Sequence, residues 1–266
     1  MNVLITSGFN NSKPSVYLAE QLTSKGISIH TISTKNNINF SKIYSLIKKE
    51  GWKELINYAL KYFNLPKKNN SKNLNLIMSN YDYPKMNISK WCQLNNVKNI
   101  QMKNINDPEF IRYVKKSEID CIFYTGGGII GKELIEAVKG NIINFHSGPL
   151  PTIRGMNAIE WSLVLNKKIA VSTHFINTGI DTGRVINKYS LKIHDVENIE
   201  DLRNKAIFQC IKDFCLYINK EKLKELMELN KDNANSSNSR QCFKMSPLLR
   251  SLAEIKLQQI KNEKVF

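Results

Sequence analysis

Short runs rich in apolar and β-branched residues recur at positions 3–6, 27–33, 74–78, 97–102, 119–125, 141–145, 170–176 and 185–191. Runs of this length, bounded by polar or glycine-containing turns, read as buried strands. Between most of them the apolar positions fall at helical spacing instead. Residues 14–25 are the clearest case: Ser12 stands where a cap is needed, Pro14 opens the first turn, Gly26 follows the last, and Val16, Leu18, Ala19 and Leu22 supply one apolar face. Parallel neighbours need a long connection, which a crossover helix supplies while covering the sheet. The alternation predicts an α/β fold over residues 1–191: a doubly wound, mostly parallel Rossmann-like sheet with helices on both faces.

Two stretches depart from this rhythm. Ile43, Leu46, Ile47, Trp52, Leu55, Ile56, Ala59, Leu60 and Phe63 lie at helical spacing broken near Gly51, which predicts a helical insertion at about 41–65. Its apolar stripe either packs on the domain or serves as a lid or a homodimer contact. After Leu191 the pattern turns helical at 200–217, 221–229 and 247–261, with a polar run at 231–240 that reads as a loop. Residues 192–266 are therefore expected to form a mainly helical C-terminal extension. No internal repeat is visible.

Composition narrows the class. A chain of 266 residues with 42% hydrophobic and 23% charged residues can bury its own core and is neither disordered nor fibrous. Its longest apolar runs fall well short of a membrane span, and residues 1–8 lack the basic start and cleavage site of a leader, so a cytoplasmic location is expected. The five cysteines include no CxxC pair and read as reduced, mostly buried thiols. A net charge of +16 tempts a nucleic-acid reading, but 33 residues are Asn and the cationic excess is mostly Lys, which points to compositional bias. Residues 35–72, with nine Lys against two Glu, keep a locally positive face open.

The chemistry concentrates in two stretches. In Asn141-Ile142-Ile143-Asn144-Phe145-His146-Ser147-Gly148-Pro149-Leu150-Pro151, strand alternation turns Asn144 and His146 to one face near the strand's carboxyl end, where ligands of open α/β sheets bind. A lone histidine is more often a satisfied structural residue than a functional one. The second stretch, a strand at 171–176 followed by Asn177-Thr178-Gly179-Ile180-Asp181-Thr182-Gly183, offers the Asp181 carboxylate at the same edge of the sheet. Spacing alone leaves Asp181 equally a turn-forming residue. The run Gly126-Gly127-Gly128-Ile129-Ile130 reads as a strand-to-helix turn, or as a phosphate loop without the full spacing of one. His30, His146, His174 and His194 show no metal-ligand spacing, and no metal is expected.

Taken together, Asn144-x-His146, the following segment 147–155, and 174–183 resemble the tetrahydrofolate-dependent formyltransferase family, with the element order matching over roughly residues 1–190. The resemblance implies that Asn144, His146 and Asp181 are catalytic. It implies that Gly126, Gly127, Gly128, Ile129 and Ile130 line the pterin pocket of N10-formyltetrahydrofolate, the co-substrate, with Asn177, Thr178, Gly179 and Ile180 on its other side. Ser147, Gly148, Arg154 and Asn157 would face the amine acceptor. Among family branches, a formyltetrahydrofolate hydrolase would need a domain before the first strand, and methionyl-tRNA formyltransferase a C-terminal barrel where this chain reads as helical. The segment 7–14 departs from the phosphate loop of glycinamide ribonucleotide enzymes, while 154–161 looks most like the sugar N-formyltransferases. The expected acceptor is thus a small molecule, the amino group of a nucleotide-linked amino sugar, without nucleic-acid or membrane partners. The alternatives are methionyl-tRNA, another small amine, or a non-catalytic folate-binding regulator.

Overall fold

The computed structural model describes residues 1–35, 85–229, 231 and 239–263. The predicted insertion at 41–65, the strand at 74–78 and most of the polar run at 231–240 lie outside the described residues. The strands are β1 (Val3–Ser7), β2 (Ile29–Lys35), β3 (Lys98–Met102), β4 (Cys121–Tyr124), β5 (Asn141–His146), β6 (Ile153–Gly155), β7 (Ala170–Phe175), β8 (Val185–Ser190) and β9 (Arg240–Cys242). The helices are α1 (Lys13–Ser24), α2 (Ile88–Leu94), α3 (Pro108–Lys116), α4 (Lys132–Ala137), α5 (Ala158–Val164), α6 (Ile199–Tyr217), α7 (Lys220–Glu228) and α8 (Pro247–Glu263).

Local chemistry explains where the helices start. Ser12, Asn87, Asp107, Asn198 and Asn219 cap α1, α2, α3, α6 and α7, each accepting a backbone N–H from the first turn with its side-chain oxygen. Proline stands in the first turn of α1 and α3, where its missing N–H costs nothing. Among the described residues no helix is long and apolar enough to cross a membrane.

Seven strands form the main sheet in the order β3-β2-β1-β4-β5-β7-β8. β1 to β5 are parallel, whereas β7 runs antiparallel to both β5 and β8. The order reverses between β1 and β4, where the two following loops meet: a Cβ added to Gly126 would lie 3.1 Å from the Gly8 nitrogen. Such a switch point is where an open α/β sheet leaves a crevice.

The faces of the sheet carry different cores. On one, Ile5, Phe123, Ile143, Phe145, Val171 and Phe175 pack against α1 and α6. On the other, Leu4, Ile122 and Ile142 pack against Phe110 and Val114 of α3 and Leu134 of α4. Because α6, α7 and α8 contribute Phe214, Leu223 and Leu257 to the first core, residues on either side of position 191 share it. A separate two-stranded sheet pairs β6 with β9, Ile153 opposite Arg240 and Gly155 opposite Cys242. The polar run expected to be loop thus ends by entering a strand.

Candidate active site

β5 extends two residues beyond β4, which stops with Tyr124 opposite Asn144. Asn144 and His146 follow Ile142 by two and four residues and face its way, toward the side covered by α3 and α4. Phe145 points into the opposite core, as the alternation requires. His146 is buried, more enclosed than an open strand end suggests. What closes over it is the turn after β5: a Cβ on Gly148 would fall 2.8 Å from His146 Nε2 and 2.6 Å from the Ala158 side chain, so only glycine lets the turn come this close.

Asp181 reaches the same face by another route. Since β7 is antiparallel to β5, the loop after it leaves from the opposite end of the strand, not from the same edge, and folds back over the sheet. Asp181 itself adopts a left-handed backbone (φ 50°), which Asp and Asn tolerate better than other non-glycine residues. Its Oδ2 accepts the Gly155 N–H at 2.8 Å and lies 3.4 Å from His146 Nδ1. Its Oδ1 lies 3.5 Å from Nε2 of His174, a residue that sequence reasoning left as part of a strand.

His174 faces Asn144 across the β5–β7 ladder. Its Nδ1–H donates to the Phe175 carbonyl at 2.7 Å, which leaves Nε2 to accept from the Asn144 amide nitrogen at 3.0 Å. Asn144 is therefore held by one N–H and keeps the other for a ligand. Burial pushes the His174 pKa down to about 4, with Asp181 opposing and His146 adding to the drop. The ring is neutral near pH 7, as its acceptor role requires.

His146 behaves similarly and for the same reason. Burial lowers its pKa, against the opposing pull of Asp181 and of the Ile153 carbonyl. Desolvation outweighs the Asp181 charge, so the resting imidazole is neutral near pH 7. Its Nε2–H donates to Ile153 O at 3.2 Å, and Nδ1 then offers a lone pair toward Asp181. A proton arriving between the two would be shared by an imidazole and a carboxylate.

The glycine loop lies beside this cluster. Gly126, Gly127 and Gly128 all have positive φ (146°, 138° and 115°). Tyr124 fixes the loop: its hydroxyl donates to Gly128 O at 2.7 Å and accepts the Gly128 N–H at 3.1 Å. Burial raises the Tyr124 pKa, the Gly128 N–H donated to its oxygen opposes this, and the Asp181 charge adds to the rise. Asn106, another residue without a sequence signal, pins the far end through Ile129 O at 2.9 Å and Gly131 N at 2.7 Å. Ile129 is exposed, and Ile130 packs on the second core. In the loop after β7, Thr178, Gly179 and Ile180 are exposed while Asn177 Oδ1 accepts from Gly179 N and Thr182 Oγ1. Open glycine backbone beside an exposed aliphatic side chain suits a flat heteroaromatic ring with polar edges.

Two of the residues expected to face the amine acceptor hydrogen-bond within the protein. The Arg154 guanidinium bridges Ile180 O at 3.0 Å and Ser239 Oγ at 3.1 Å. Asn157 donates to Glu160 and accepts the Met245 N–H, so its amide joins α5 to the segment after β9. Ser147 stands half-buried beside the buried Gly148 in the turn that covers His146.

A polar cluster on one face of a switch-point sheet, beside a glycine loop, marks the class of group-transfer and ligand-binding α/β proteins. The chain belongs to the formyl transferase family, which it matches over residues 28–212. It is 35% identical over 107 residues to the methionyl-tRNA formyltransferase of Thermodesulfovibrio yellowstonii, covering 40% of this chain and 35% of the relative. The matched stretch thus spans about a third of the relative's length. Solved structures share the fold: glycinamide ribonucleotide transformylase 1 from Symbiobacterium toebii (TM-score 0.56, 12% identity, 84% of this chain and 88% of that one) and a sugar N-formyltransferase from a Shewanella species (TM-score 0.54, 14% identity, 97% and 87%). A third is the N-formyltransferase from Helicobacter canadensis in complex with folinic acid and dTDP-3-aminofucose (TM-score 0.51, 17% identity, 96% and 79%).

Proposed function

We propose that this protein transfers a formyl group from N10-formyltetrahydrofolate to the amino group of a nucleotide-linked amino sugar. The observation that carries the reading is the convergence of Asn144, His146 and Asp181 on one sheet face beside the glycine loop. Gly126 to Ile130 and Asn177 to Ile180 would hold the donor, which supplies the formyl carbon. The second N–H of Asn144 donates to the formyl oxygen as negative charge grows there; one such donor is commonly worth about 3 kcal/mol of transition-state stabilisation. The Asp181–His146 pair receives the proton that the amine loses as its nitrogen bonds to the formyl carbon. It returns that proton to the donor nitrogen as the old C–N bond breaks, so the enzyme ends unchanged. His174 keeps Asn144 aimed throughout.

Two facts support a sugar acceptor. Fold likeness to sugar N-formyltransferases extends over nearly the whole chain. The described residues after β8 form helices and one short strand packed on the sheet. Methionyl-tRNA is the second reading, favoured by the curated relatives. Incubation with N10-formyltetrahydrofolate and a panel of nucleotide-linked amino sugars should give a product one formyl group heavier by mass spectrometry. Formylation of methionyl-tRNA and of no amino sugar would transfer the assignment to the second reading.

A further inference from the structure

Beside the edge of the main sheet lies a cavity of about 310 Å³, between the loop that follows His146 and the edge strand β8, lined by Pro149, Thr152, Lys167, Lys168, Lys188 and Ser190 among others. Its lining contains no carboxylate. Sheet register places it relative to the active site. His146 lies opposite Ser172 on β7, and Ser172 lies opposite Lys188 on β8. Residues directly opposite one another share a face, so Lys188 projects from the same side as His146, two strand spacings or about 10 Å away across the sheet.

The loop between them is tied to both. Ser172 Oγ donates to Gly148 O at 2.8 Å and accepts the Leu150 N–H at 3.0 Å, while Lys188 Nζ donates to Leu150 O at 3.2 Å. Lys132, Lys139, Lys205 and Lys222 each meet a carboxylate. Among the described residues Lys167, Lys168 and Lys188 form no ion pair. A lysine-rich composition scatters cations over a surface; it does not explain three of them around one carboxylate-free cavity. Like charges gathered this way repel, and an anion relieves the repulsion. Ammonium groups act as point charges toward phosphate, and the hydroxyls of Thr152 and Ser190 can donate to its remaining oxygens.

We propose that this cavity is the subsite for the diphosphate of the amine acceptor, held by Lys167, Lys168 and Lys188. The proposal deepens the reading given above and rests on it for the identity of the acceptor. Seated there, the phosphate end leaves one sugar ring to span the distance to His146. Nothing in this arrangement touches the glycine loop, so the acceptor and the formyl donor approach from different sides.

Two measurements on the full chain test it. In steady-state formyl transfer, Lys188→Gln should raise the KM for the amino-sugar nucleotide at least fivefold, and the Lys167→Gln/Lys168→Gln/Lys188→Gln variant about a hundredfold, with the donor KM unmoved. Lys188→Arg should recover most of the loss. An acceptor KM unchanged in the triple variant overturns the proposal. Independently of turnover, calorimetry with inorganic pyrophosphate should show binding to the native protein that the triple variant loses while keeping its melting temperature. Pyrophosphate binding equal in both proteins also overturns it. If pyrophosphate binding is lost in the triple variant but no amino sugar is formylated, the anion subsite stands and the sugar reading falls. Displacement of pyrophosphate by uncharged tRNA at equimolar concentration would overturn the small-molecule assignment in favour of a nucleic-acid backbone.

Discussion

The two faces of β5 and β7 are built from alternate residues of the same strands, yet they do opposite work. One presents Phe145, Val171 and Phe175 to α6, where Phe214 meets Phe123 and Phe145 edge-on with ring centroids 5.7 and 5.6 Å apart. The other presents Asn144, His146, Ser172 and His174 to the loops. Pleating forces the division: a residue that serves one face is withheld from the other. The apolar face can therefore hold the strands rigid while the polar face carries buried imidazoles and a carboxylate, groups that bury at a cost. Stability and chemistry should then separate by substitution at adjacent positions.

The largest contrast is expected at Asp181. Asp181→Asn keeps the size and the left-handed backbone while removing the charge, so turnover should fall by two or more orders of magnitude with the melting temperature nearly unchanged. Retention of the native rate by this variant would remove the carboxylate from the proposed mechanism. Phe145→Ala should do the reverse. Truncating a buried aromatic costs about 3–5 kcal/mol, to be read by denaturant unfolding, while activity per folded molecule persists.

A pH titration sharpens the comparison further. His174 has a folded pKa of about 4, and that of His146 is lowered too, both chiefly by burial. In the unfolded chain both rings take up protons near pH 6.5, where the folded protein resists them. Unfolded molecules then bind more protons than folded ones, so stability is full above about pH 6.5 and declines as pH falls toward 4. His174→Asn should flatten that decline, and an equally steep loss in the variant would place its origin elsewhere. The smallest effect belongs to Gly148→Ala. The added methyl group would press His146 and Ala158, and a stability loss of about 1–3 kcal/mol is expected, with a modest reduction in rate.

How much of this was legible follows the same division. Runs at 3–6 and 141–145 correspond to β1 and β5 within one residue at their ends, because strands buried on both faces carry unbroken apolar signals. The pair Asn144 and His146 was visible as an interruption of such a run. His174 was not: it sits in a fully buried strand, and its contact with Asn144 exists only once β7 is laid antiparallel beside β5. Strand direction leaves no trace in local periodicity. Nor does the β6–β9 pairing, where two three-residue segments give no alternation to read and Arg240 and Gln241 suit a loop as well as a strand. The hydrogen bonds that Arg154 and Asn157 make to Ser239 and Met245 were not legible either, because those partners lie far along the chain.

That pairing also sets an order of events on the ribosome. The seven strands of the main sheet are complete once residue 190 has emerged, and among the described residues their ladders need nothing later. Gly155, whose N–H steadies Asp181, lies on a strand whose partner among the described residues is made some 85 residues later, since Ile153 waits for Arg240. Asp181 is thus oriented by a segment translated after the main sheet. A nascent chain stalled before Arg240 should resist proteolysis across the sheet while its 177–184 loop remains cleavable. Extension of the chain through Cys242 should protect that loop, so that the capacity for catalysis is acquired after the architecture that houses it.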